Sequence, residues 1–399
     1  MSGTSSVGLA RSKVPGWMIV LMSSGLLFVE GNAQWLADSS IDNRIQRGIK
    51  HIYNLEFYDA DKQFDEVIRM RPEHPAGPFF KAMTQWWRIL SNFDDESQDG
   101  RFYDMLEEVI DMCDKMLEKN PDDVTALFFE GGSLGFRGRL RANRGNWFGA
   151  ARYAIAALPI VQKAYELDPK NNDILLGMGI YNYYAEIIPV EYPIVKPFMV
   201  FLPSGDRKKG IEQLRSAAKH AKYAGTEASY FLVQNYFLYE KDYQSALLLA
   251  KQLNEDFPGN PDFHRYLGRC FVSVGNWEEA FRVFSHVLDR VTRRAVGYDD
   301  HDGREAYYYV GKYLFAKSND ADALVNFQKC DELSDKIDKD GASGFASMAN
   351  LHIGMIYDLQ SKRGEARSRY REVLGMKAFE NTHAEARKYL QQPYRRPFK

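Results

Sequence analysis

Apolar residues recur at helical spacing along most of the chain, and the stretches between them are short and polar. Residues three and four apart share one face of an α-helix, so this period predicts amphipathic helices. Asn120-Pro121 and Asp168-Pro169 each follow such a stretch, at a point where proline cannot continue a helix. The pattern therefore predicts an all-α chain of about eight antiparallel helix pairs. The predicted pairs span residues 41–71, 75–119, 123–168, 172–223, 226–256, 261–290, 303–334 and 344–375, and a short capping helix lies near 380–391.

Three of these pairs share one frame of small and aromatic residues. In segment 263–288, Gly268 is followed twelve residues later by Ala280 and sixteen residues later by Phe284. The same spacing gives Gly311, Ala323 and Phe327 in segment 306–333, and Gly354, Ala366 and Tyr370 in segment 350–374. Small residues let two helices approach closely, and an aromatic ring fills the gap between successive pairs. This frame resembles the tetratricopeptide repeat (TPR), and the resemblance extends from Asn43 to Leu374.

A second resemblance lies in the centre of the chain. Residues 131–145 and 175–210 are similar to those of exported bacterial repeat proteins with an enlarged middle repeat. A more distant similarity, to a eukaryotic repeat family linked to the mitochondrial outer membrane and inclusion-body clearance, rests on Gly177, Gly179, Tyr181, Asn182, Pro189 and the turn 204–207. The repeat resemblance implies a right-handed solenoid of antiparallel helix pairs that binds protein or peptide partners, without catalysis and without a cofactor.

Composition narrows the function classes. At 399 residues the chain is long for one compact core, which agrees with an elongated repeat array over residues 34–399. A formal net charge of -2 argues against general nucleic-acid affinity. Cys113, Cys270 and Cys330 each lie in an apolar helical pattern, so we predict small core residues rather than a disulfide framework or a zinc site.

The N-terminus predicts export. Arg11 and Lys13 precede an apolar segment, residues 14–29, and small residues follow at 31–33. This arrangement is typical of a secretory signal, so we predict a signal peptide over residues 1–33 and a periplasmic or envelope-associated protein of a Gram-negative bacterium. An uncleaved membrane anchor is the alternative, although the apolar segment is short for a span of roughly 20 residues.

Side-chain chemistry gives no catalytic, metal or cofactor site in the sequence. The eight histidines lack the paired spacing of a zinc protease. The glycine-rich stretch 131–138 lacks the lysine of a phosphate-binding loop. The carboxylates of Asp299, Asp300, Asp302 and Glu305 miss the spacing of a calcium loop, which favours a solvated loop.

Two groups of polar residues are candidates for partner binding. The first is an arginine cluster between two predicted helical segments, which has enough positive charge to hold a phosphate or carboxylates, or else is a basic exposed turn. Its members are Arg137, Arg139, Arg141 and Arg144. The second is a row on the inner face of the repeats, where the resemblance implies that polar residues clamp peptide carboxylates, although the set is incomplete here. Its members are Asn235, Arg265, Arg269 and Lys312.

An apolar, proline-rich insertion, residues 186–206, is the third candidate. Its four prolines forbid a regular long helix, so we predict that the preceding helix ends at Ile187. The apolar residues of the insertion, Phe198 and Phe201 among them, either cover the inner groove of the array or form an exposed patch for a partner or a membrane. The predicted function is a non-enzymatic interaction scaffold of the cell envelope; the alternative is a peripheral membrane or lipid-handling factor that uses the insertion and the arginine cluster.

Overall fold

The computed structural model describes residues 38–200, 202–339 and 343–397, and the regular structure of these residues is helical throughout. The described residues divide into two compact units, the first ending at residue 260 and the second beginning at residue 261. The helices of the first unit are α1 Ser39–Tyr53, α2 Phe57–Met70, α3 Ala76–Ser91, α4 Asp99–Lys119, α5 Val124–Asn143, α6 Trp147–Leu167, α7 Ile174–Glu191, α8 Lys196–Met199, α9 Arg207–His220, α10 Gly225–Asn235 and α11 Tyr243–Asp256. A π-helical turn, Tyr236–Glu240, extends α10.

The second unit continues with the same alternation. Its helices are α12 Pro261–Ser273, α13 Trp277–Thr292, α14 Asp300–Ala316, α15 Asp320–Ile337, α16 Gly344–Leu359, α17 Arg363–Gly375 and α18 Thr382–Gln391. Over the described residues the two units contain five and three helix pairs, and α18 closes the second. The predicted all-α repeat of eight pairs with a capping helix is therefore confirmed. The predicted signal segment, residues 1–33, lies outside the described residues.

In the pairs that share the predicted frame, a glycine of the first helix is in close contact with an aromatic ring of the second. A Cβ atom placed on Gly268 would lie 2.6 Å from the ring of Phe284, and one on Gly354 would lie 2.5 Å from Tyr370. Both rings are fully buried. The spacing of glycine and aromatic residue in the sequence thus corresponds to direct contact between the two helices of a pair. The first pair has the same contact, between Gly48 and Phe64. Cys113, Cys270 and Cys330 are buried free thiols of the core, as predicted.

The turn inside a pair has a recurrent form in both units. A residue with positive φ follows the first helix, and the next residue caps the second helix with its side chain. Gly145 (φ 75°) precedes Asn146, whose Oδ1 accepts from the backbone N–H of Gly149 at 2.8 Å. Lys241 (φ 56°) precedes Asp242 in the same way. This turn holds the two helices antiparallel and starts the second one at a fixed residue.

Two sequence predictions about helix ends were wrong. Helix α7 does not end at Ile187 but contains Pro189 and runs to Glu191. A proline removes one hydrogen bond and crowds the carbonyl four residues before it, which weakens the preceding turn but need not end the helix. Pro159, which lies inside α6, is tolerated in the same way. The seventh predicted pair, residues 303–334, ends later than predicted, because α15 continues to Ile337.

In the central pair, α7 with α9, the backbones of the two helices are in direct contact. A Cβ atom on Gly210 would lie 2.5 Å from the backbone nitrogen of Tyr183 and 2.9 Å from the carbonyl oxygen of Gly179. Backbone atoms cannot swing away as a side chain can, so only glycine fits at position 210. Asn182 adds a hydrogen bond across the same contact, from Nδ2 to Oε1 of Gln213 at 2.7 Å.

We expect Gly210→Ala to destabilise the first unit by roughly 1–3 kcal/mol, the usual cost of overpacking. Gly100 is the matched control, because a Cβ atom there meets nothing within 4 Å. Urea denaturation of the two alanine variants measures the difference. Equal unfolding midpoints for both variants would contradict the proposed backbone contact.

Candidate functional site

The first unit closes on itself, because its first and fifth helix pairs meet. Tyr53 on α1 donates its hydroxyl to Oε2 of Glu227 on α10 at 2.9 Å. Asp42, also on α1, accepts from the hydroxyl of Tyr223 at 2.5 Å and pairs with Lys222 at 2.9 Å. These contacts join residues more than 170 positions apart. Two recesses result, one inside the closed unit and one on its seam.

The recess inside, which we call the inner cavity, has a volume of about 170 Å³. Helices α1, α3, α5, α6, α7 and α10 line it, almost entirely with apolar atoms. Its walls include Phe80, Trp86, Gly135, Arg139, Ile180 and Phe231.

One charged group on the wall of the inner cavity is held in an internal pair. Nη1 of Arg139 donates to Oε1 of Glu227 at 2.6 Å, and both side chains are at least nine-tenths buried. The guanidinium also lies 4.4 Å from the ring centroid of Trp86. Burial lowers the pKa of Arg139 to about 10, so the group is charged at neutral pH and Glu227 neutralises it.

The recess on the seam, which we call the basic cleft, has a volume of about 780 Å³. It lies between α1 on one side and α9 to α11 on the other. Its charged and exposed apolar residues are Lys50, Arg215, Lys219, Lys222, Leu248 and Asp256. Four cations thus face one carboxylate, and Leu248 is 72% exposed. Sequence analysis missed this cluster because its members come from three different helices.

Arg215 is oriented by an aromatic residue of the basic cleft. Its Nε donates to the hydroxyl of Tyr236 at 2.7 Å, and its guanidinium lies 5.6 Å from the centroid of that ring. Within the described part of the chain, Arg215, Lys50 and Lys219 have no carboxylate within ion-pair distance. The two terminal amino groups of Arg215 can therefore face a bidentate carboxylate.

The arginine cluster predicted as a site is neither a turn nor a set of free cations. Arg137, Arg139 and Arg141 lie within α5, and Arg144 caps it. Arg137 pairs with Glu107, and Arg144 makes hydrogen bonds of 2.8 and 2.9 Å to Asp99. Arg141 lies 4.7 Å from the ring centroid of Tyr103. The alternative of an exposed basic turn was wrong, because a helix places these side chains against acidic and aromatic neighbours.

In the second unit, the predicted inner-row arginines are also paired internally. Nε and Nη2 of Arg269 donate to the two carboxylate oxygens of Glu305 at 2.5 and 2.6 Å. Arg265 lies 3.3 Å from both Asp302 and Glu305. Asp302 and Glu305 belong to α14 and are buried, so the predicted solvated loop was wrong at these positions. Arg269 holds the pKa of Glu305 below its usual value despite burial, which keeps the carboxylate ionised.

Comparison with known proteins agrees with this architecture. The sequence model of the tetratricopeptide repeat matches residues 237–295. This part of the chain is a tetratricopeptide repeat. No curated protein sequence matches it.

Solved structures of several repeat proteins are similar to this one. The Cut9-Hcn1 hetero-tetramer of APC/C matches with 13% identity over 84% of this chain and 52% of that chain, at a TM-score of 0.49. YrrB, a TPR protein with an unusual peptide-binding site, matches with 18% identity over 56% of this chain and 93% of that chain, at a TM-score of 0.38. MamA from Desulfovibrio magneticus RS-1 matches with 15% identity over 42% of this chain and 84% of that chain, at a TM-score of 0.34.

The remaining two residues of the inner row differ in exposure. Asn235 is fully buried, and its Oδ1 accepts from the hydroxyl of Tyr184 at 2.5 Å. Lys312 is partly buried, with its amine 5.0 Å from the ring centroid of Trp277 and 5.8 Å from that of Tyr308. Burial lowers the pKa of Lys312. Partner binding by Lys312 stays a prediction, as it does for the other residues of the row.

The proline-rich insertion is partly buried and partly exposed. Ile188, Val195 and Leu202 are buried, whereas Val190 and Val200 are 73% and 82% exposed. The backbone of Phe198 belongs to α8, and Phe201 lies outside the described residues. Neither predicted alternative therefore holds for the whole insertion. In the described part of the chain, no helix is long and apolar enough to cross a membrane, and no group of three or more potential metal ligands occurs there.

A buried histidine of the second unit predicts how its stability depends on pH. His352 stacks on Phe327 at 4.7 Å, and its Nδ1–H donates to the carbonyl oxygen of Met348 at 2.7 Å. Burial lowers the pKa of His352 to about 4, and Lys312 acts in the same direction. The unfolded chain therefore binds a proton at this residue between about pH 6.5 and pH 4, and the folded protein does not.

We expect His352→Phe to flatten the loss of stability in acid. Its ring keeps the stack on Phe327 and cannot titrate, so between pH 7.5 and pH 5 the variant should lose on the order of 2 kcal/mol less than the wild type. Urea denaturation at the two pH values measures this, with exposed His220→Phe as the control. A slope equal to that of the wild type would contradict the assignment.

Proposed function

We propose that this TPR protein is a non-enzymatic interaction scaffold that binds acidic segments of partner proteins in the basic cleft. The observation that carries the proposal is the preorganised cluster of cations, in which Tyr236 fixes Arg215 while Lys50 and Lys219 have no acidic partner in the described chain. A site already held in its bound geometry loses little entropy on binding. Complementary charge also speeds and directs encounter.

The ligand of the basic cleft is expected to be a peptide segment with both acidic and apolar residues. Carboxylates match Arg215 and the two unpaired lysines, and an apolar side chain matches Leu248. The overall charge of -2 and the carboxylate of Asp256 disfavour a polyphosphate backbone. We retain the cell envelope as the proposed location; it rests on the sequence pattern around Arg11 and residues 14–29.

We expect the double variant Arg215→Gln with Lys219→Gln to bind a fluorescent Glu/Leu peptide about tenfold more weakly or worse, since one lost carboxylate contact of roughly 1.4 kcal/mol gives that factor. Lys208→Gln with Lys209→Gln is the matched control: it removes the same charge from exposed residues of the same helix, outside the cleft. Fluorescence anisotropy measures both affinities. Equal losses in the two variants, or none in either, would contradict a site in the basic cleft.

An exposed apolar surface favours a second function, peripheral membrane binding. Phe148 is 60% exposed at the start of α6, next to Trp147, which stacks on Tyr192 at 5.2 Å. Val190 and Val200 are exposed on the insertion that contains Tyr192. Apolar side chains at the surface, with aromatic residues beside them, suit the interface of a lipid bilayer.

If this surface binds membranes, Phe148→Ser combined with Val190→Ser should remove the protein from floated anionic vesicles. Val325→Ser is the control, because Val325 is 56% exposed in the other unit. Each change lies at the surface, where substitutions usually alter stability by less than about 0.5 kcal/mol. Absence of the wild-type protein from the vesicle fraction would rule out this second function.

A further inference from the structure

Glycines form part of the wall of the inner cavity, and one of them, Gly135, faces open space. Gly132, Gly135 and Gly177 line it from α5 and α7. A Cβ atom placed on Gly135 would meet nothing within 4 Å, whereas one on neighbouring Gly131 would lie 2.5 Å from Val161. Gly131 is thus explained by helix packing and Gly135 is not. A glycine within a helix costs conformational freedom, and an alanine would fit at position 135.

The walls of the inner cavity are held in place by aromatic contacts. The rings of Trp86 and Phe136 are 5.6 Å apart, and those of Phe79 and Phe136 are 6.2 Å apart, in edge-on arrangements. Tyr53 and Trp87 form a further edge-on pair at 5.2 Å. Protein interiors normally close around such a space to native packing density. Here the packed rings of three helices keep the cavity open before any ligand binds.

Volume and access suit a small molecule. The volume of about 170 Å³ is close to the roughly 150 Å³ of an engineered apolar cavity that stays dry and binds benzene. Gly135, Leu176 and Gly177 are only partly buried, so solvent reaches the wall between α5 and α7. A ligand can therefore enter from this side without unfolding the closed unit.

The charges of the inner cavity select against a charged ligand. Arg139 and Glu227 form a pair with no net charge, and Tyr53 adds a hydrogen bond to the same carboxylate. The third charged group of the wall, the carboxylate of Asp173, accepts hydrogen bonds from the backbone N–H groups of residues 222–224. An incoming anion or cation would lose its hydration and would find its counter-charge already occupied. We propose that the inner cavity is a binding site for a small, uncharged apolar molecule about the size of a substituted benzene ring. This site is separate from the basic cleft and does not depend on the proposed scaffold function.

The test uses toluene as the neutral probe and benzoate as its charged analogue, with the full chain. Met83 lines the cavity and is 8% exposed, so its ¹³C-labelled methyl group reports on occupancy in an NMR titration. Its resonance is identified by its loss in Met83→Leu. We expect a saturable shift of this resonance with toluene and none with benzoate. No saturable shift with toluene, or an equal response to benzoate, would overturn the proposal.

Substitution of Gly135 provides a second arm. Gly135→Leu fills the space and should weaken toluene binding about tenfold or more, whereas Gly100→Leu, at an exposed glycine of the same unit, should leave it unchanged. Gly135→Ala adds a single methyl group and should give an intermediate loss even if the leucine variant fails to fold. Full toluene affinity in folded Gly135→Leu, or in Gly135→Ala, would overturn the assignment. Unchanged toluene binding by Arg215→Gln with Lys219→Gln is expected, since those residues do not line the cavity.

Discussion

Glu227 joins the two ends of the five-pair unit, and both recesses of that unit depend on it. Its carboxylate accepts from Tyr53 on α1 and from Arg139 on α5 while it is 5% exposed. A buried carboxylate is tolerated only when its hydrogen bonds and its charge are matched, and loss of one partner of a buried pair typically costs about 3–5 kcal/mol. Three helices are therefore tied to a single residue. Together with the contacts of Asp42 to Tyr223 and Lys222, this link holds α1 at the seam and gives the inner cavity and the basic cleft their second wall.

The second unit uses a similar device at a different place. Glu305 on α14 binds Arg269 on the preceding helix pair through two hydrogen bonds, and Arg265 lies beside it. A bidentate pair fixes orientation as well as distance, so it sets how one helix pair lies against the next. In both units an inward-facing arginine is thus part of the repeat's own structure. Arginines of this kind look identical to ligand-binding arginines when only the helix that carries them is considered.

Contacts within a helix pair could be predicted from the sequence, whereas contacts between distant helices could not. Gly268 and Phe284 are sixteen residues apart, their contact repeats, and the helix pairs could be placed from this short-range pattern. Arg139 and Glu227 are 88 residues apart, and no spacing rule connects them. The closure of the first unit, the occupied arginines and the basic cleft all rest on such distant pairs. Pro189 was misjudged for a local reason: a proline weakens the turn before it but does not always end a helix, as Pro159 inside α6 also shows.

Gly135 is a further residue whose role depends on neighbours that are distant in the sequence. In the sequence, stretch 131–138 was compared with a phosphate-binding loop and found to lack its lysine. Glycine has two uses that a sequence cannot distinguish, close packing and open space, and the neighbours across the fold decide between them. Gly131 has the first use and Gly135 the second. At Gly135 the absence of a side chain leaves room for the proposed ligand, and no motif of chemical groups indicates such a space.

The two recesses of the first unit share Ile49 and Tyr223. The ring of Tyr223 packs on Phe80 at 5.5 Å on the cavity side, and its hydroxyl binds Asp42, the residue that also neutralises Lys222 of the cleft. An acidic partner that competes with Asp42 for Lys222 would act on the same side chain that forms the wall of the cavity. Coupling between two sites is reciprocal, so any change in cavity affinity caused by a partner equals the change in partner affinity caused by a cavity ligand. Tyr223 is the physical element through which the two recesses of this unit can influence one another.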